Sequence, residues 1–203
     1  MTQVVVIDYG MGNLHSVSKA IQAVSSSESI VISSNTDVIK AADKIVFPGV
    51  GAIKDCMEAF SVDLRETVLE EIDKKPTLAI CVGMQMLLKS SEENGGVDCF
   101  DILDGKVTKI NASKEIKVPH MGWNKVKISQ SNKNEFNNFE DSKFYFIHSY
   151  YAKPTLTENI VGTTVHGHEF ASIIKKNNIY GVQFHPEKSH NYGKFFFKKF
   201  LNA

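Results

Sequence analysis

The chain is 203 residues long, carries 23 basic and 23 acidic side chains for no formal net charge, and is 42% hydrophobic. A neutral balance gives no electrostatic footprint for nucleic acid or an anionic membrane surface, and no apolar run approaches the length that crosses a bilayer. Cys56, Cys81 and Cys99 are odd in number and lack paired spacing, which points away from a disulfide framework or zinc site and towards a reducing compartment, expected to be the cytoplasm. One domain over residues 1–203 is the expected organisation, and the short N-terminal apolar run reads as a strand, not a targeting segment.

Residues 4–7 form an apolar run closed by Asp8-Tyr9-Gly10-Met11-Gly12-Asn13, hence a buried strand and a loop. Val17, Ala20, Ile21 and Val24 then recur at helical spacing. Residues 30–32 and 44–47 read as the second and third strands, and the alternation predicts a parallel sheet with helices on both faces. Gly10-Met11-Gly12 lacks the third glycine of a dinucleotide fingerprint, where His15 stands, so a tight loop at a site edge or subunit contact is preferred. Phe47-Pro48-Gly49-Val50-Gly51-Ala52 is a glycine-rich turn at a strand end. Its amides suit a developing oxyanion, an ordinary turn being the other reading. Residues 52–74 are helical in two pieces, with Leu64, Val68, Leu69 and Ile72 as the buried stripe.

The stretch Thr77-Leu78-Ala79-Ile80-Cys81-Val82-Gly83-Met84-Gln85 carries the strongest chemical signal. An apolar strand ends abruptly at Cys81, and residues 84–90 read as a helix. A cysteine at a sharp strand-to-helix turn has the context of a nucleophile elbow, which exposes the sulfur at the carboxyl edge of a sheet. A following helix favours the thiolate, and Gly83 lets backbone pass close by. Taken alone, the turn is equally compatible with a buried core cysteine.

Beyond residue 92 the pattern shifts to short strands and turns. Residues 101–105 read as a turn before a strand over 106–110, and residues 129–142, polar and Asn-rich, as a surface loop. Val118-Pro119-His120-Met121-Gly122-Trp123-Asn124 contains the only tryptophan. Residues 144–147 form a strand ending in His148-Ser149-Tyr150-Tyr151, and residues 163–174 form a hairpin. His166 and His168 fall on one face of an extended strand, but no third ligand joins them, so solvent-facing polar residues are preferred over a metal site. Residues 180–184 are the last strand. It runs into His185-Pro186-Glu187, where side chains two apart point alike, so Glu187 can hold His185 in one tautomer while His185 exchanges a proton with a cysteine. Residues 191–202 close the chain with a helix whose apolar face includes Phe195, Phe196 and Leu201.

Together these stretches resemble the triad-type, class I glutamine amidotransferases, and more narrowly the glutaminase subunits of imidazole glycerol phosphate synthases. The opening Ile7-Asp8-Tyr9-Gly10-Met11-Gly12-Asn13, the Pro48-Gly49-Val50-Gly51-Ala52 turn, the Cys81 elbow and Gln183-Phe184-His185-Pro186-Glu187-Lys188-Ser189 carry the resemblance. Pro119-His120-Met121-Gly122-Trp123-Asn124 and His148-Ser149-Tyr150-Tyr151 narrow it. The implied fold is α/β and flavodoxin-like, a mostly parallel central sheet with helices on both faces plus a smaller antiparallel sheet region. The implied catalytic residues are Cys81, His185 and Glu187. Gly49, Val50, Gly51, Val82, Gln85, Ser149 and Tyr150 are implied at the glutamine and oxyanion subsites. Gly12, Asn13, His120, Trp123 and Lys188 are implied near a (β/α)8-barrel cyclase subunit that receives the ammonia, with no cofactor and no metal. Ala79 departs from the family, which usually has glycine two residues before the cysteine; the extra methyl bears on glutaminase rate, not on the fold. Two other activities stay open at this point. One is a paralogous glutaminase supplying ammonia for sugar amidation in surface-polysaccharide synthesis, towards which Ser189-His190-Asn191-Tyr192-Gly193 leans. The other is a cysteine amidase or peptidase on a similar scaffold.

Overall fold

A computed structural model describes residues 2–203. The first half alternates strands and helices in chain order: β1 (Gln3–Ile7), α1 (Leu14–Gln22), β2 (Ser29–Ser33), α2 (Thr36–Ala41), β3 (Lys44–Gly49), α3 (Ile53–Glu58), α4 (Val62–Ile72), β4 (Thr77–Cys81) and α5 (Val82–Met86). The second half is mostly strand: β5 (Leu88–Ser91), β6 (Val97–Asp98), β7 (Leu103–Lys109), β8 (His120–Lys125), β9 (Lys127–Ile128), α6 (Lys133–Phe136), β10 (Lys143–His148), β11 (Tyr150–Pro154), β12 (Ile160–His166), β13 (His168–Lys176), β14 (Ile179–Val182) and α7 (His190–Leu201).

The main sheet runs β2-β1-β3-β4-β14-β13-β12-β9. Its first five strands are parallel, and the hairpin side is antiparallel. The crossover through α1 runs outward to β2 and the crossover through α2 runs back to β3. Right-handed connections therefore put the two helices on opposite faces. α1 packs against α7, and α2 packs against α4. Strands β1, β3, β4 and β14 are apolar almost throughout because both faces are covered. A four-stranded sheet, β11-β7-β5-β6, and a two-stranded ribbon, β10-β8, complete the fold. The ribbon's inner face seats Phe144 and Phe146, and Phe144 stacks on Phe184 at 3.9 Å between ring centroids.

Four sequence expectations are corrected. The helix expected over 84–90 ends at Met86, and Leu88–Ser91 is a strand. The carbonyls of Met86, Leu87 and Leu88, which would carry the helix on, instead accept from the N–H groups of Phe100, Ile102, Leu103 and Asp101. The segment 129–142 is no surface loop: it holds α6 and flanking single turns, and Phe136 and Phe139 are buried within it. Its asparagines face outward while two aromatics three residues apart anchor it. His166 and His168 are not on one strand; Gly167, at φ +75°, turns the chain between them, and they pair across the hairpin. Phe195 is 55% exposed, and the buried face of α7 is Phe196, Phe197, Phe200 and Leu201.

Candidate active site

β3, β4 and β14 are adjacent and parallel, so their carboxyl ends deliver three segments to one edge of the sheet. Ligands in open α/β sheets bind outside this edge. Cys81 ends β4 with φ 55° and ψ −109°. Only a residue over-determined by its surroundings holds such a conformation, and the surroundings are visible. Gly49 pairs with Cys81 across the ladder. A Cβ on Gly83 would lie 2.1 Å from the Phe47 carbonyl oxygen, and one on Gly49 would lie 2.6 Å from the Gly83 nitrogen. The elbow is thus clamped against β3 by two glycines without side chains. Ala79 is buried in β4 opposite Phe47 and Gly181, inside a regular ladder; the methyl is absorbed there without breaking the strand.

Beside the sulfur, Gln183 Nε2 donates towards Cys81 Sγ at 3.7 Å, and the Ile147 carbonyl oxygen lies 4.0 Å from it. His185 Nδ1 meets Glu187 Oε1 at 2.8 Å. Both of those side chains are nearly inaccessible, at 3% and 1% exposure. Burial acts to lower the affinity of His185 for its proton. The Cys81 sulfur and the Glu187 carboxylate outweigh it and raise the imidazole to about 10. Removing the sulfur with Cys81→Ala is therefore expected to move the His185 titration, followed by NMR, down from about 10. The sign for stability follows from linkage. A raised histidine stabilises in full below its ordinary 6.5, and that contribution is lost as pH rises through about 10. Thermal melts across that window should fall less steeply in Cys81→Ala than in the unsubstituted chain.

A cavity of about 370 Å³ opens over these groups. Of the residues expected at the site, Cys81, His185, Val50, Gly51, Val82, Gln85, Ser149, Tyr150 and Lys188 line it. Glu187 stands behind His185, and Gly49 lies beneath the elbow as a point of close approach. Gly51 has φ +91°, and the Cys56 thiol donates to the Val50 carbonyl at 3.3 Å. Because the peptide is trans, the Gly51 N–H points the other way from that carbonyl. Gln85 is buried; its Nε2 donates to the Tyr150 carbonyl at 2.8 Å and to Gln183 Oε1 at 3.1 Å, which leaves its own oxygen free to accept.

The expected partner edge is only partly a surface. Trp123 is 45% exposed and stacks on His190 at 5.0 Å. Lys188 is exposed at the cavity mouth, 6.0 Å above the Tyr145 ring. Gly12 and Asn13 are half-buried, Gly12 close to Pro48. His120 is the exception: it is 4% exposed, because alternation along β8 turns it inward and leaves Met121 and Trp123 outward.

Gln183, Glu93 and His148, the last of which lines the cavity, escaped sequence reasoning as polar site residues. Gln183 stands two before His185, and the alternation that linked His185 to Glu187 extends to it. Glu93 also lines the cavity and accepts from the Ile53 N–H at 3.0 Å. It sits in a short turn between β5 and β6, and nothing in its local sequence marks it. Among the described residues no cluster of three or more metal-ligating side chains is present.

The sequence model described as glutamine amidotransferase class-I matches residues 5–203. The imidazole glycerol phosphate synthase subunit HisH of Acinetobacter baylyi is 46% identical over 203 residues, covering 99% of this chain and 98% of its own. HisH of Hydrogenovibrio crunogenus is also 46% identical, covering 98% and 95%. In fold, the chain is similar to a putative GMP synthase component from Thermoplasma acidophilum (TM-score 0.70, 21% identity, 100% of this chain and 93% of that one). It is similar also to the PurLQS structure from Thermotoga maritima (TM-score 0.71, 20% identity, 99% and 98%). With a family model spanning nearly the whole chain and relatives of this identity and coverage, the chain belongs to the class-I glutamine amidotransferases, within the HisH family.

Proposed function

We propose that the chain hydrolyses L-glutamine to glutamate and ammonia through a thioester on Cys81. The ammonia passes to a (β/α)8-barrel cyclase subunit that makes imidazole glycerol phosphate and AICAR in histidine biosynthesis. The observation that carries the reading is the Cys81 elbow facing the buried His185–Glu187 pair across one cavity.

In this reading Cys81 Sγ attacks the side-chain amide carbon of glutamine. The oxygen becomes an oxyanion, met by backbone N–H groups of the Val50–Gly51 turn and of Val82. His185, held in one tautomer by Glu187, gives its proton to the leaving nitrogen, and the C–N bond breaks to release ammonia. Water then attacks the γ-glutamyl thioester, His185 takes its proton, and glutamate leaves as the sulfur is restored. The free oxygen of Gln85 and the Glu93 carboxylate suit the substrate's α-ammonium group, and Ser149 and Tyr150, which line the same cavity, help hold the glutamine. Lys188 at the cavity wall, the exposed Trp123 and the Gly12–Asn13 loop are the groups assigned to the contact with the barrel. The relatives named HisH favour this acceptor over a sugar-amidating partner or a general amidase.

The test is ammonia release from glutamine by the purified chain, alone and with the liganded histidine-pathway cyclase. Strong activation by the liganded cyclase is the expected result. Activity indifferent to that cyclase keeps the glutaminase chemistry and moves the assignment to another acceptor. No release under either condition rejects the chemistry.

A further inference from the structure

Four polar groups continue inward from the cavity wall as a buried chain. His148 Nδ1 lies 2.8 Å from the Tyr150 carbonyl oxygen, the same oxygen that accepts from Gln85 Nε2 at 2.8 Å. His148 Nε2 lies 2.9 Å from His120 Nδ1. His120 Nε2 lies 3.2 Å from Asn124 Nδ2, which also donates to the Val165 carbonyl at 2.9 Å. His120 and His148 face each other across the β8–β10 ribbon, and both rings are almost wholly inaccessible.

The donors and acceptors allow one arrangement of protons. A carbonyl can only accept, so the Tyr150 oxygen requires N–H at His148 Nδ1. His148 Nε2 is then the acceptor, which requires N–H at His120 Nδ1. His120 Nε2 is in turn the acceptor for Asn124, whose two amide hydrogens go to His120 and Val165 and whose oxygen takes the Lys125 N–H at 2.8 Å. An added proton on either ring sets two donors against each other. Burial agrees with neutral rings: it lowers His148 to about 3, and with the His166 ring stacked at 4.2 Å it lowers His120 to about 4.

We propose that His120 and His148 are positioning residues for the substrate amino acid: as a neutral, proton-ordered pair they fix the Tyr150 carbonyl and thereby the Gln85 amide that lines the cavity. The pair saturates one side of an acceptor whose other side holds Gln85, and the Gln85 amide continues to Gln183 and from there to the Cys81 sulfur. His120 does this without reaching the cavity. The inference rests on the glutaminase reading for its substrate, and its hydrogen-bond order stands apart from that reading.

Four variants test it: His148→Phe and His120→Phe keep a ring and remove the link, while His148→Gln and His120→Gln supply one donor and one acceptor in its place. The phenylalanine variants are expected to raise KM for glutamine about tenfold, the scale of one buried polar group left unpaired, with kcat changed much less. The glutamine variants are expected to recover part of the loss. Nitrogen NMR of the unsubstituted chain should show both rings neutral near pH 7, each carrying its proton on Nδ1. A folded His120→Phe with unchanged KM overturns the proposal, as does loss of thermal stability alone or a ring protonated on Nε2. Should the unsubstituted chain release no ammonia with the cyclase, the substrate reading fails. The NMR tautomers then still decide whether the ordered pair exists.

Discussion

Cys81→Ala is expected to lower glutamine-dependent ammonia release by about 10⁴-fold or more, the scale on which covalent enzymes lose turnover when the nucleophile is deleted. The reason lies in the elbow. Cys81 carries the one thiol that lines the cavity, beside His185 with Glu187 hydrogen-bonded behind it. Water cannot replace it efficiently, because the backbone delivers the nucleophile from β4 at a fixed angle, φ 55° and ψ −109°. The variant should still fold, since alanine removes only one buried sulfur atom. Mixed with the cyclase, it should therefore support synthesis from added ammonium salts at near the unsubstituted rate. Two assays read the result: ammonia from glutamine, and cyclase product from ammonium. Glutaminase activity retained in Cys81→Ala would falsify the thioester mechanism. Loss of both activities would instead mean that Cys81 also supports the contact with the partner.

Gly83→Ala is expected to be the most damaging single-methyl change at the site. The added carbon would sit 2.1 Å from the Phe47 carbonyl oxygen and 3.1 Å from its carbon, and neither atom can swing aside because both are backbone of the central strand β3. Either β3 and α5 separate or the elbow opens. The cost is about 3 kcal/mol or more, the upper range of overpacking, or a Tm drop of roughly 6–12 °C for a chain of this size. Opening the elbow also displaces Cys81, so turnover should fall even at temperatures where the variant stays folded. Gly95→Ala is the control. It sits in open space at φ +85°, so it reports left-handed backbone alone and should cost about 1 kcal/mol. Similar Tm drops for the two variants would mean that β3 and α5 are not in the close contact described.

The candidate site was legible in the sequence wherever its signals are local. Cys81 stands out because an apolar strand run ends at it just before Gly83. His185 and Glu187 suggest a pair through extended-backbone alternation, but Pro186–Lys188 is a single 3-10 turn, and it is this turn that brings Glu187 Oε1 within 2.8 Å of His185 Nδ1. The parallel half of the sheet was readable for the same reason: β1, β3 and β4 are buried on both faces and so are apolar without interruption. Most of the departures turn on a neighbour distant in sequence; His166 and His168 are the local exception, split by the turn at Gly167. Residues 84–90 have a helical composition, but segment 100–103 takes the carbonyls that would extend α5, and the chain becomes β5. The asparagines of 129–142 suggest a loop, yet Phe139 finds a buried place against β10 and α7, and Phe136 one against Phe139 and Tyr180. Phe195 and Phe196 look alike in sequence, and only the packing of α7 decides that one is buried and the other is not. His120 belongs to the same class. Its sequence neighbours Met121 and Trp123 face outward, and the pairing of β8 with β10 turns it inward onto His148. The sequence by itself marked Cys81, His185 and Glu187 as candidates and placed the strand-to-turn break at Cys81, because short-range backbone geometry carries that break. The tertiary structure alone decided that Glu93 joins the site and that His148 in the cavity wall is backed by the buried His120, because contacts between residues tens of positions apart leave no periodic trace in the chain.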